Sequence, residues 1–195
     1  MSTIPYPVTV ELAGDDEVAR WRPLVNWFLA IPHYVVLYFL RIVAQALTFV
    51  ALLTVLFTRR IPDGVMDFIV SAHRYQWRVT SYAIGLRDEY PPFEFQFSAE
   101  DTGTDAGILE VERPGELRRF MPLVKWFLAI PHYLVLAVLG IGGFFAWFAG
   151  AAAVLFTGRW PHGIREYMVG VSRWSTRVQA YVGLLTDEYP PFSLR

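Results

Sequence analysis

The chain contains no cysteine. Disulfides, thiolate metal sites and thiol nucleophiles are excluded together, and the redox compartment stays open. Charge of one sign is also lacking: 17 Lys and Arg stand against 18 Asp and Glu, a formal net charge of −1. No global field draws such a chain toward nucleic acid, so no nucleic-acid partner is expected. Met1 to Glu17 lacks a basic start, an apolar stretch and a small-residue cleavage site, so it does not read as a cleavable leader. Insertion is then expected to use the first apolar segment as an uncleaved anchor. Gly-rich phosphate loops, Ser–His–Asp sets and HExxH are missing as well.

What is abundant is apolar. Hydrophobic residues make up 54% of the chain and aromatics 16%, with a mean hydropathy of +0.34. Soluble domains usually sit at roughly 45–50% apolar, so the excess points to lipid as part of the solvent. The excess is concentrated in two blocks, Pro23 to Thr58 and Pro122 to Thr157. About 20 apolar residues cross a bilayer as a helix; a block of about 36 is long for one crossing and short for two. Two readings compete. In a hairpin, each block crosses twice, turning near Arg41 and near Gly140-Ile141-Gly142-Gly143. The flanking arginines then share one side, which satisfies the positive-inside tendency. Both termini and the linker near Thr102 become cytoplasmic. In a single span, His33 to Phe57 crosses once and the second copy is inverted. The charge rule favours the hairpin.

The two blocks belong to an internal repeat. Pro32 matches Pro131, an offset of 99, and that offset holds from Arg22 through the two DEYPPF motifs at Asp88–Phe93 and Asp187–Phe192. Roughly half of about 74 aligned positions are identical without a gap. Alternating stretches, VTVEL at Val8–Leu12, ILEVE at Ile108–Glu112 and EFQF at Glu94–Phe97, read as strands. Ser98 to Gly107 is acidic and rich in Gly and Thr, which reads as an exposed loop. The units are residues 1–97, a linker 98–106, and residues 107–195. The expected fold class is a mainly α integral membrane protein of two tandem repeats. Each is an apolar helix or helical hairpin plus an amphipathic interfacial helix, flanked by short strands.

Pro62 to Leu86 reads as that amphipathic helix. Asp67, Ser71, Arg74, Arg78 and Ser81 fall three or four apart and share a face. Copy two repeats the stripe with Arg173 and Arg177. Arginines, a wide apolar face and interleaved aromatics describe a helix in the headgroup layer. Two arginines four apart repel, so something negative must lie close. A lipid phosphate is one candidate; the carboxylates Asp88, Glu89, Asp187 and Glu188 are the other. Adjacent carboxylates in DEYPPF do not share a face, and no nucleophile stands nearby, so no catalytic residues are assigned. His33 and His132 each sit between a proline and a tyrosine. A symmetric pair could hold a metal or haem, but a fuller ligand set is missing. Interfacial hydrogen bonding is the favoured reading, with no metal and no cofactor.

The pattern IPHY, apolar block, LFTGRWPxG, amphipathic helix, RWSxRVQAYVGLLTDEYPPF resembles the DUF4389 family, most fully over Arg119 to Phe192. Copy one departs from it at Arg59 and at His73-Arg74-Tyr75-Gln76. The resemblance implies a multi-pass protein of the bacterial inner (cytoplasmic) membrane and supplies no catalytic residues. Three functions follow. The first is a non-enzymatic scaffold, accessory subunit or lipid-organising module. The second is a small transporter or channel, suggested by Arg41 and Gln45 inside an apolar block. The third, ranked last, is a lipid-modifying enzyme. Expected partners are membrane lipids, anionic ones included, and a membrane protein or a second copy of the chain.

Overall fold

The computed structural model describes residues 6–101, 103 and 105–195; Thr102 lies outside the described residues. Strand β1 (Val8–Leu12) precedes helices α1 (Arg22–Leu29), α2 (Ile31–Thr58) and α3 (Asp63–Ala83). Strand β2 (Gly107–Val111) precedes α4 (Met121–Leu128), α5 (Ile130–Thr157) and α6 (His162–Val182). The two halves have the same order, with helices of 8, 28 and 21 residues in each.

The expected turns near Arg41 and Gly140 do not form. Both positions lie inside uninterrupted helices about 42 Å long. No proline falls there, and glycine weakens a helix by only about 1 kcal/mol against alanine. The break comes earlier, at Ala30 and Ala129, just before Pro32 and Pro131. Proline has no N–H to continue the ladder, so it sits in the first turn of a new helix. Each long helix ends on a left-handed residue, Arg59 (φ 62°) or Gly158 (φ 74°). Glycine adopts that conformation freely; arginine holds it under strain.

The repeats are joined by exchange. Val18 N–H donates to the Gly158 carbonyl, and Leu117 N–H, the equivalent position, donates to Arg59. The strands pair antiparallel, with Val10 opposite Leu109. Those two residues are themselves equivalent (10 plus 99), so an approximate twofold axis passes between them. Strand β1 packs on α6 and β2 on α3, so each repeat's strand covers the other repeat's helix. Glu94 to Phe97, expected as a further strand, runs as irregular chain beside α3.

Three layers result. The strand pair and linker form one, with Thr9, Glu11 and Glu110 facing out. Helices α3 and α6 form the middle, and α3 buries Arg74, Tyr75, Trp77, Arg78 and Tyr82. Helices α1, α2, α4 and α5 form the third. Its outer face is apolar and uncovered, with Phe39 62%, Phe57 77% and Phe156 81% exposed. Helix α3, placed in the headgroup layer by its pattern, is instead sandwiched between α2 and β2.

Packing is matched locally. Gly150 lies against the indole of Trp160, where a Cβ would collide with the ring. Copy one places Ala51 and Ile61 at the same two positions, a larger residue opposite a smaller one. Gly150→Ala should cost about 1–3 kcal/mol in chemical denaturation. Adding Trp160→Ile should recover part of that loss; strictly additive single effects would show that the two positions do not share one space.

Candidate functional site

The arginine stripe of α3 is buried. Arg74 is 2% and Arg78 3% exposed. Their partners are neither headgroups nor the DEYPPF carboxylates; they are Asp101 and Asp105 of the linker. Arg74 Nε lies 3.2 Å and Arg78 Nη2 2.8 Å from Asp101, and Arg87 Nη1 lies 2.6 Å from Asp105. The linker expected as an exposed loop therefore carries two carboxylates whose side chains are 1% and 2% exposed. Asp105 also accepts from Gly107 N–H and Asp101 from Leu109 N–H. The arginines bond main chain too: Arg74 Nε donates to Leu109 O and Arg78 Nε to Gly107 O. Burial holds the Arg74 guanidinium below its ordinary pKa, and Asp101 offsets this only in part.

Copy two uses other oxygens. Arg173 donates to Val10 O and Leu194 O. Arg177 donates to the main-chain oxygen of Arg195 and lies over the Tyr6 ring. Burial, and then Arg173 beside it, lower the Arg177 pKa.

The DEYPPF carboxylates work at the start of each repeat. Asp88 accepts from Ala19 N–H and pairs with Arg22 at 3.2 Å. Asp187 accepts from Arg118 N–H and pairs with Lys125 at 2.8 Å. Glu89 and Glu188 are exposed. Asn26 and Lys125 are equivalent and buried; Asn26 donates to Tyr82 O in the last turn of α3 and to Arg87 O beyond it, and Lys125 to Thr186 O, the equivalent of Arg87.

His33 and His132, expected to bond at the interface, are both buried within the chain, at 0% exposed. His33 Nδ1 lies 2.6 Å from Tyr75 Oη, and its ring stacks on Phe93 at 4.2 Å. His132 Nδ1 accepts from Trp174 Nε1, and its ring stacks on Phe192 at 4.1 Å. Indole only donates, so His132 Nδ1 carries no proton in that bond. Each ring thus fastens its long helix to the DEYPPF segment of its own repeat. Among the described residues no three His, Asp or Glu side chains converge as metal ligands.

Two cavities lie beside α3. The smaller, about 210 Å³, lies on the axis between α3 and α6 and is lined by the equivalent pairs His73/Ser172, Gln76/Ser175, Trp77/Thr176 and Thr80/Gln179. The larger, about 630 Å³, opens between α2, α3 and the second repeat, with Arg41, Gln45, Thr48, His73, Gln76 and Gln179 among its walls. Arg41 and Gln45 stood out as polar interruptions of an apolar block. The stretch His73 to Gln76 stood out only as a divergence between copies.

A layered, duplicated helical protein with an apolar outer face and a polar seam is the class defined here. The family model for a domain of unknown function, DUF4389, matches residues 20–94 and 122–193, and the chain belongs to that family as two tandem copies. No curated protein and no solved structure matches it. Two helical stretches, Ile31–Thr58 and Met121–Thr157, are long and apolar enough to cross a membrane.

Removing one partner of a buried ion pair strands the other charge, which costs about 3–5 kcal/mol. Asp101→Asn should lower stability by that amount in chemical denaturation, while Glu89→Gln should stay within about 0.5 kcal/mol. Equal effects would mean that Asp101 is not buried against Arg74 and Arg78.

Proposed function

We propose that the chain is a non-catalytic, lipid-organising membrane protein. It lays α1, α2, α4 and α5 in one leaflet and keeps the strand layer in water. The carrying observation is that α2 and α5 are apolar on one side and backed on the other by α3 and α6. Beyond those lie a charged linker, the polar strand faces and the Arg113–Asp63–Asp67 ion pairs. A steep crossing by α2 would draw α3 and these charges toward hydrocarbon, at several kcal/mol for each charge. An in-plane pose leaves them in water and immerses only the apolar layer.

The edges of that layer support the same pose. Trp21, just before α1, and Trp27 and Trp126 on the short helices are exposed, and indoles favour the headgroup level. Arg20, Arg59, Arg60, Arg118 and Arg119 lie next to the helix ends, suited to anionic lipid. The bacterial cytoplasmic membrane is the proposed location.

A second reading, two crossing helices in a multi-pass protein, is favoured by their length and by a mean hydropathy of 2.1. The two separate by depth. The chain lacks cysteine, so Phe39→Cys, Phe49→Cys and Phe57→Cys each give a single attachment point for a fluorophore. In vesicles, depth-dependent quenchers should place all three at one shallow depth. A profile with Phe49 deep and Phe57 near the surface would establish crossing instead. No partition into vesicles at all would leave the apolar layer to a protein partner.

A further inference from the structure

The two repeats are not equal at the seam. The larger cavity holds Arg41, Gln45 and Thr48. The equivalent positions in copy two are Gly140, Phe144 and Trp147. There Trp147 turns inward and donates from Nε1 to the Ile84 carbonyl at 2.8 Å. The equivalent of Ile84 is Gly183, a wall of the open cavity. In copy two an indole thus reaches the Ile84 main-chain oxygen. Copy one has a threonine in place of the indole and a cation three residues before Gln45's neighbour Ala44.

Arg41 makes neither an ion pair nor a hydrogen bond among the described residues. It differs in this from Arg74 and Arg78 of α3, which bond both main chain and Asp101. Around it stand groups that can donate to an anion, Gln45, Gln76 and Gln179, and the half-buried His73. Burial first, and Arg41 second, push the His73 imidazole down to about 4. At neutral pH it is an uncharged hydrogen-bonding group, and the carboxylates found elsewhere in the interior do not line this cavity. The site thus offers one positive charge with no negative one. Tyr34, Tyr38 and Tyr133 stand at its walls and are also part of the exposed apolar layer. A volume near 630 Å³ lies within the range of small-molecule sites, roughly 300–1,000 Å³.

We propose that this cavity holds the anionic headgroup of one membrane lipid, with its phosphate or carboxylate on the Arg41 guanidinium and its chains running out over the apolar layer. The assignment rests on the membrane reading of that layer. An arginine fork suits a phosphate or carboxylate oxygen pair, and an arginine within an apolar helix is costly unless it serves a ligand or a cavity.

Two variants test it. Arg41→Gln removes the charge. Thr48→Trp installs in copy one the indole that copy two already carries, with the Gly183 carbonyl available to it. Each is reconstituted in mixed phosphatidylcholine and phosphatidylglycerol vesicles, extracted in mild detergent, and weighed by native mass spectrometry. The wild-type chain should retain about one phosphatidylglycerol. Arg41→Gln should retain at least about tenfold less, because charge-assisted hydrogen bonds are worth that factor or more, and Thr48→Trp should do the same by filling the space. Binding of the wild-type chain to pure phosphatidylcholine vesicles reports on the apolar layer. If the wild-type chain fails to bind those vesicles, the membrane reading falls. If it binds them but retention is unchanged in both variants, the cavity assignment falls. Saturable binding of inorganic phosphate in lipid-free detergent, removed by Arg41→Gln and unaccompanied by retained lipid, would replace the lipid with a free anion.

Discussion

The structure depends on a guanidinium reaching across the twofold axis to a strand carbonyl. Arg74 of α3 donates to Leu109, and its equivalent, Arg173 of α6, donates to Val10. Val10 and Leu109 are the pair through which the axis passes. A two-stranded ribbon is marginal alone, because half its backbone groups face away from the partner strand. The two arginines satisfy carbonyls that would otherwise be stranded over a buried helix. The ribbon in turn covers α3 and α6, and each strand comes from the opposite repeat. Within this chain each repeat closes its core with the other repeat's strand.

The charge economy follows from that clamp. Arginines under a ribbon are desolvated, and the molecule compensates them differently in its halves. Copy one folds the linker inward and supplies Asp101 and Asp105. Copy two supplies main-chain oxygens of Leu194 and Arg195 and the face of Tyr6. The acidic linker is therefore a structural element of the first repeat although it lies outside the repeated stretch.

Much of this was legible in the sequence. The offset of 99 gives two equal halves, and alternation in VTVEL and ILEVE gives β1 and most of β2. The spacing of Arg74 and Arg78 gives a shared face and a need for negative charge. The partners were not legible, because the carboxylates that the motif offers, Asp88 and Glu89, follow the helix end, while Asp101 and Asp105 return from a segment without periodicity. Period and spacing report which side of a helix is polar; they do not report whether water, lipid or protein covers it. The same limit explains His33 and His132. A histidine beside a tyrosine at the edge of an apolar block looks interfacial until the Pro-Pro-Phe segment folds back over it. Block length and the charge rule favour a hairpin over a single span, but α2 and α5 run uninterrupted because nothing in them obliges a turn.

The pattern of divergence between the copies has a physical order. Positions that hold the halves together keep their function: Arg74 and Arg173, His33 and His132, and Asp88 and Asp187 each serve the same joint twice. At the left-handed positions only one copy has glycine, Gly158 rather than Arg59 and Gly85 rather than Leu184, so backbone strain is tolerated once in each half. Around the axis, by contrast, equivalent positions differ: His73 and Ser172, Gln76 and Ser175, and Thr80 and Gln179 all line the same cavity. A residue near a twofold axis meets its own equivalent, so two identical large side chains would compete for one space. Unequal pairs resolve that crowding, and an unequal seam cannot present two identical sites. The indole of Trp147 and the open cavity at Arg41 are the two outcomes of that constraint, reached on opposite sides of one axis.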